Sequence, residues 1–286
     1  MKLFVTDLDG TLLNSQHEIS PENLSALELA QKEGLEIAIA TGRTYADARA
    51  VCEKAGISAH IISNNGSFIF TRDGKKLKAM SLAKEFVAPS LRWLHNNDYY
   101  YEISTDNTIF LSPTTEDVLK LDFARAKAAD PSLDPAALDK ILSLIYSQKG
   151  IRIVKDIDSI VDTDIEYYNM LGLSFDPVKL TRGRNYFSNL EGLTMLISGQ
   201  YNFEMINSNA SKGFALKHLT DHLNIPVSKT IAIGDSFNDL SMLEIAGIGV
   251  AMGNAEDKIK KCCQYVAKSN DESGVAHIIH ELKHLF

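Results

Sequence analysis

The sequence predicts an α/β protein, a parallel-sheet core split by an inserted α+β segment. Three observations predict it. Short, fully apolar runs alternate with helical stretches, which implies a parallel sheet covered on both faces. Polar, reactive residues sit where those runs end. Between roughly residues 82 and 206 the texture changes to alternating, aromatic-rich runs.

The apolar core runs are Leu3 to Val5, Glu36 to Ala40, His60 to Ser63, Thr230 to Ile233 and Ile248 to Ala251. The first helix is signalled by Ser20 as its cap, Pro21 at the first helical position and Gly34 beyond its end. A second runs from about Tyr45 to Ala55 and stops at Gly56. Others follow Lys212 and Ser236, and Gly247 stops the pattern that reaches Ala246. In the insert, strands are expected at Tyr99 to Ser104, Thr108 to Leu111, Tyr167 to Phe175 and Thr194 to Ile197, with antiparallel pairing. Helices are expected near Glu116 to Ala129 and Pro135 to Tyr146, and Pro113, Pro131, Pro135 and Pro177 break the segment into pieces. The expected division is a core of residues 1–81 and 207–286 carrying an insert of residues 82–206.

A chain of 286 residues, 45% of them hydrophobic, is long enough for a large core plus a smaller domain. The formal charge of -8 argues against a partner bound through its nucleic-acid backbone, which requires a basic face. An anionic small molecule remains compatible with that charge if cations are concentrated at the site. No run approaches the ~20 apolar residues of a membrane span. The N-terminus is interrupted by Asp7 and Asp9 and does not read as a signal peptide. Three cysteines, two of them adjacent, give no disulfide framework, and a cytoplasmic location is expected.

Three core runs end in reactive-looking segments: Asp7-Leu8-Asp9-Gly10-Thr11, Thr41-Gly42-Arg43 and Gly234-Asp235-Ser236-Phe237-Asn238-Asp239. In an open α/β sheet the ligand crevice lies outside the carboxyl ends of the strands, so these segments should converge. Two carboxylates one residue apart can divide phosphoryl transfer between them. Asp7 would attack phosphorus, while Asp9 would protonate the leaving oxygen and later deprotonate water. Acids so close repel, and one pKa should rise. Asp235 and Asp239 add hard oxygen ligands suited to Mg²⁺. Thr41 and Gly42 offer a hydroxyl and backbone N–H groups at the start of a helical region, and Lys212 offers the compensating cation. Taken singly, each segment also fits an ordinary turn, a helix cap or a solvated lysine. Their convergence is what points to a site.

This combination resembles the haloacid dehalogenase superfamily, specifically the Cof-type sugar-phosphate phosphatases with an inserted α/β cap. The resemblance rests on residues 7–11, Thr41-Gly42-Arg43, Asn64-Asn65-Gly66, Ser211-Lys212-Gly213 and residues 234–239, and spans the whole chain. It implies a Rossmann-like parallel-sheet core with an inserted α+β cap domain. Asp7 is implied as the nucleophile and Asp9 as the acid/base. The metal would be held by the Asp7 side chain, the Asp9 backbone carbonyl and Asp235. The phosphate would meet the Leu8 backbone, Thr41, Gly42, Lys212 and Asn238, with Asp239 an outer partner of Lys212 or of the metal. The family's lysine loop often begins with glycine; here the position is Asn209, a residue that tolerates left-handed geometry. The implied substrate is a small phosphorylated metabolite, with neither nucleic acid nor membrane as partner, and the chain a monomer or weak homo-oligomer. Substrate choice rests with the cap, where Tyr100, Tyr101, Asp106 and Tyr201 could line a sugar pocket, although strand tyrosines more often simply pack.

Other readings compete. A phosphomutase shares the phosphoenzyme step and differs only in the acceptor. A phosphate-ligand sensor shares the fold without turnover. A dinucleotide-binding dehydrogenase is disfavoured because the first strand ends in acids rather than G-x-G-x-x-G. His280-Glu281-Leu282-Lys283-His284 fits a zinc-protease pattern, but Ile278, Ile279, Leu282 and Leu285 read as an amphipathic terminal helix. His218 and His222, at the same spacing, read likewise.

Overall fold

The computed structural model describes residues 1–148, 150–156, 158–161 and 164–286. They divide into two compact units, Met1–Ala79 with Ala210–Phe286, and Met80–Asn209.

The first unit opens with β1 (Leu3–Thr6), α1 (Pro21–Lys32), β2 (Glu36–Ala40), α2 (Tyr45–Ala55), β3 (His60–Ser63), β4 (Phe68–Phe70) and β5 (Lys76–Ala79). Leu3, Phe4 and Val5 are fully buried, as a strand covered on both faces requires. The side chain of Ser20 accepts from the Asn23 N–H at the start of α1, and Gly56 closes α2 in the left-handed conformation.

The second unit comprises α3 (Lys84–Asn96), β6 (Tyr100–Ser104), β7 (Ile109–Leu111), α4 (Thr115–Ala129), α5 (Ala137–Ser147), β8 (Ile151–Ile153), α6 (Asp158–Val161), β9 (Asn169–Leu173), α7 (Pro177–Ser188), β10 (Leu193–Leu196) and β11 (Asn202–Asn207). Its sheet has the order β10-β11-β9-β6-β7-β8. Pairing is antiparallel except between β7 and β8, which run parallel because α4 and α5 return the chain between them. Successive residues of β6 point to opposite faces, as the strand repeat dictates. Tyr101 and Ile103 join a cluster with Leu91, Leu94, Phe187 and Phe203, whereas Tyr100 packs with Leu119, Leu173 and Phe175. Tyr100 and Tyr101 are thus packing residues, and Tyr201 also lies against the second cluster. Pro177 does not break the chain here. It occupies the first turn of α7, where its missing N–H costs nothing, behind Asp176, whose carboxylate caps Val178 and Lys179.

The first unit resumes with α8 (Lys212–Leu223), β12 (Thr230–Gly234), α9 (Leu240–Ile245), β13 (Ile248–Ala251), α10 (Asp257–Lys260), β14 (Tyr265–Val266) and α11 (Gly274–Leu282). Among the described residues its sheet is eight-stranded, in the order β14-β13-β12-β1-β2-β3-β4-β5. The strands from β14 to β3 are parallel; β4 and β5 add an antiparallel hairpin. β1 lies between β2 and β12, so the chain leaves it to one side and returns on the other, and a crevice opens at its carboxyl end. Helix α1 packs on α11, and α8 on α9. No helix among the described residues is long and apolar enough to cross a membrane.

Candidate active site

Asp7 is the first residue beyond β1, and its N–H donates to the Ile233 carbonyl of β12 at 3.0 Å. It is 5% exposed. The chain then turns sharply: the Thr11 and Leu13 N–H groups both donate to the Leu8 carbonyl, at 3.2 and 2.8 Å. Gly10 has φ 76°, and a Cβ there would lie 2.5 Å from Asp235 Oδ2, so the turn requires glycine both for its conformation and for the approach of Asp235. The Leu8 side chain is buried in the core, which leaves its backbone as the part facing the turn.

Lys212 opens α8, and its side chain is fully buried. Its Nζ donates to Asp7 Oδ1 at 2.7 Å and to Asp239 Oδ1 at 2.6 Å. The other oxygen of Asp239 accepts the N–H groups of Asp235 and Ser236 at 3.0 and 2.9 Å, so Asp239 serves Lys212 and the turn after β12 together. Asp235 accepts from the Thr11 hydroxyl at 3.0 Å and the Ser236 hydroxyl at 3.2 Å. Carboxylate oxygens of Asp7, Asp235 and Asp239 lie within 4.8 Å of one another.

Three carboxylates gathered around one ammonium leave the site short of positive charge. Burial pushes the Asp7 carboxyl well above its ordinary range; Lys212 opposes that push, and the charges of Asp239 and Asp235 add to it. Asp235 is raised to about 6, by burial and then by Asp239. Burial works against the charge on Lys212, yet Asp239 and Asp7 outweigh it and its pKa rises. Hard oxygen donors with uncompensated negative charge fit a hard divalent cation. The rise at Asp7 thus comes from burial and from Asp239 and Asp235, not from the adjacent acid that the sequence suggested as its cause.

Asp9 points elsewhere. Its carboxylate is half exposed and is held by Arg43, Nε to Oδ2 at 2.8 Å and Nη2 to Oδ1 at 2.6 Å. Thr41 is buried at the end of β2, where its Oγ1 accepts the Arg43 N–H at 3.1 Å and its carbonyl accepts the Asn65 N–H at 3.0 Å. Thr41 and Gly42 do not sit at the helix start as the sequence suggests. Thr44 is the cap of α2, accepting the Asp47 N–H, so any anion at Thr41 would face a turn rather than the helix end.

Asn238 Nδ2 donates to Asn65 Oδ1 at 2.9 Å, and Gly42 lies against the same amide. Asn65 therefore joins the turn after β3 to those after β2 and β12. Gly66, at φ 101°, lets that loop meet the backbone of Ser211, since a Cβ would come within 2.2 Å of its carbonyl oxygen. Asn209 does not adopt the left-handed conformation allowed for it; its N–H donates to Asn207 Oδ1 at 2.9 Å.

Sequence reasoning gave no role to Arg43, Asn65, Thr11 or Ser236, although each lies within a segment it singled out. Among the described residues the histidine patterns contribute to no group of three potential ligands within reach of one ion. Helix α11 ends at Leu282, so His284 falls in a separate tight turn, and both His280 and His284 are exposed. Among the described residues, Asp7, Asp235 and Asp239 are the one group of three potential ligands within reach of a common ion.

A parallel sheet whose strand ends bring together buried carboxylates and a buried lysine, interrupted in sequence by a second α/β unit, is the arrangement that the resemblance to haloacid dehalogenase-like hydrolases implies. The chain belongs to that family, whose model matches residues 4–279. It is 41% identical over 287 residues to phosphatase YwpJ of Bacillus subtilis, covering all of both chains. It is 34% identical over 282 residues to the 5-amino-6-(5-phospho-D-ribitylamino)uracil phosphatase YwtE of the same organism, covering 99% of this chain and 98% of that one. A solved haloacid dehalogenase-like hydrolase from B. subtilis superposes with a TM-score of 0.86 at 40% identity, covering 99% of this chain and 100% of the other. The protein is an enzyme, a hydrolase of phosphoric monoesters.

Proposed function

We propose that the enzyme is a Mg²⁺-dependent phosphatase of small phosphorylated metabolites, sugar phosphates foremost, working through an aspartyl-phosphate on Asp7. The observation that carries this reading is the buried Asp7 carboxylate, fixed by Lys212 at 2.7 Å beside two further carboxylates. A purely structural ion pair has no need of three acids around one base. Relatives named as phosphatases over the full length support the reaction class, and the ribityl phosphate in the name of one of them supports a polyhydroxy leaving group.

In the first step an Asp7 oxygen attacks phosphorus and the ester P–O bond breaks. The departing oxygen takes the proton of the Asp9 carboxyl and leaves as the alcohol. In the second step ionised Asp9 takes a proton from water, whose oxygen attacks the same phosphorus. The Asp7–phosphorus bond breaks, releasing inorganic phosphate and the Asp7 carboxylate. Lys212 neutralises part of the charge on the transferring group, with backbone N–H groups near Leu8 and Gly42, the Thr41 hydroxyl and the Asn238 amide completing its cradle. The Asp7 side chain, the Asp9 carbonyl and Asp235 would hold Mg²⁺, which supplies the charge that lets a carboxylate approach a phosphate dianion.

A screen of phosphorylated metabolites for released phosphate, with and without Mg²⁺, tests the proposal. Metal-dependent release from sugar phosphates is expected. Metal-independent release, or an isomeric sugar phosphate without free phosphate, would replace it with another hydrolytic chemistry or with a mutase.

A further inference from the structure

The segment after β2 supplies a cation whose partner is the carboxylate assigned to proton transfer. Arg43 grips both oxygens of Asp9, at 2.8 and 2.6 Å, through the planar fork that matches a carboxylate. Its backbone is anchored at both ends of the residue. The N–H donates to Thr41 Oγ1 at 3.1 Å, and the carbonyl accepts the Asn64 N–H at 2.9 Å. The guanidinium thus springs from the same turns that carry the proposed phosphate cradle. The side chains are 28% and 48% exposed, so solvent screens the pair, and what its two-point geometry adds above all is a fixed orientation of the carboxylate. A two-point clasp reaching across 34 residues onto this particular carboxylate therefore calls for a role in the reaction.

We propose that Arg43 is a positioning residue for Asp9, fixing its carboxylate as the base and yielding one oxygen when Asp9 acts as the acid. The inference rests on the assignment of Asp9 above. A carboxylate held at both oxygens is acceptor only, which suits the half-reaction in which it takes a proton from water. Donating a proton to the leaving oxygen requires one oxygen free of the fork. Arg43 then keeps the other and holds the side chain in reach. A lysine in its place could keep one oxygen but not both, because its ammonium is a point charge without a planar fork.

Steady-state kinetics of Asp9→Asn, Arg43→Ala, Arg43→Lys and the double variant Asp9→Asn/Arg43→Ala test this. The substrates are monoesters running from p-nitrophenyl phosphate, whose leaving group needs little protonation, to phenyl and alkyl phosphates, which need it most. Arg43→Ala is expected to lower kcat on the alkyl esters about 10- to 100-fold with KM nearly unchanged, and to cost much less on p-nitrophenyl phosphate. Arg43→Lys should recover part of the loss. The double variant should be no slower than Asp9→Asn alone, because a residue acting through Asp9 has nothing left to position. A loss lying in KM, equal on all esters, or multiplying with that of Asp9→Asn would overturn the proposal and make Arg43 a substrate-binding group. If Asp9→Asn itself shows no dependence on the leaving group, the assignment of Asp9 falls and this proposal with it. If Asp9→Asn shows that dependence and Arg43→Ala does not, this proposal alone falls.

Discussion

Each of the two units sets a lysine against a buried aspartate, but the two pairs differ in charge balance. In the second unit Lys179 Nζ donates to Asp122 Oδ1 at 2.6 Å, and Asp122 also accepts from the Ser174 hydroxyl and from the Phe175 N–H at 2.6 Å. One charge answers one charge, and both oxygens of Asp122 accept hydrogen bonds. In the first unit Lys212 answers Asp7 and Asp239 while Asp235 stands within 4.8 Å of both. The first arrangement ties α4, α7 and the end of β9 together. The second sets three carboxylates against one cation, the imbalance that the proposed metal would relieve.

Removing the lysines' roles in turn should separate brace from site. The largest stability effect is expected for Lys212→Met, which leaves buried carboxylates with no cation. Metal-free protein should lose about 3–5 kcal/mol in denaturant unfolding, and turnover should fall about 10²- to 10³-fold. Asp122→Ala should cost about 3 kcal/mol by the same measurement, slightly less because Lys179 keeps the Asp98 carbonyl at 2.7 Å and remains 18% exposed. Mg²⁺ should raise the melting temperature by binding only the folded state, an effect worth about 2.7 kcal/mol at a hundredfold excess over Kd. Asp235→Asn should abolish most of that gain and Asp122→Asn none of it. An equal gain in both variants would remove Asp235 from the metal site.

The smallest effect concerns an acid in the second unit that has no cation beside it among the described residues. Glu102 is raised to about 7 by burial, with the Tyr100 hydroxyl at 2.7 Å opposing the shift and Glu204 adding to it. Its folded pKa lies above its unfolded one, so the folded state binds the extra proton and stability declines as pH rises from the ordinary glutamate range through about 7. Glu102→Gln should therefore be more stable than the parent at pH 8, with the difference vanishing on acidification. A constant difference across pH would assign the effect to packing instead.

What the sequence reveals follows how local each signal is. Helix α2 is legible to the residue, because Gly56 at φ 68° is a stop signal carried by one position. The helix at Pro177 is not, since proline marks both a break and a helix start, and only Asp176 behind it decides between them. The hairpin β4–β5 goes unread because its first strand is only Phe68–Phe70 and its second, Lys76–Ala79, is a largely exposed edge without an apolar face. The site divides in the same way. Asp7, Asp235, Asp239 and Lys212 stand in recognisable segments at strand and helix ends. Their supports are pairings at long range, Arg43 to Asp9 across 34 residues, Asn65 to Asn238 across 173 and Thr11 to Asp235 across 224, and no spacing rule announces them.

The nucleophile is the point on which the rest depends. Enzyme mixed with Mg²⁺ and p-nitrophenyl phosphate, quenched in acid during turnover and reduced with borohydride, should carry its modification on the peptide containing Asp7. Asp7→Asn should show neither the label nor turnover above about 10⁻⁴ of the parent rate while keeping its fold. A label on another residue, or a variant that still turns over with an intact fold, would contradict the account.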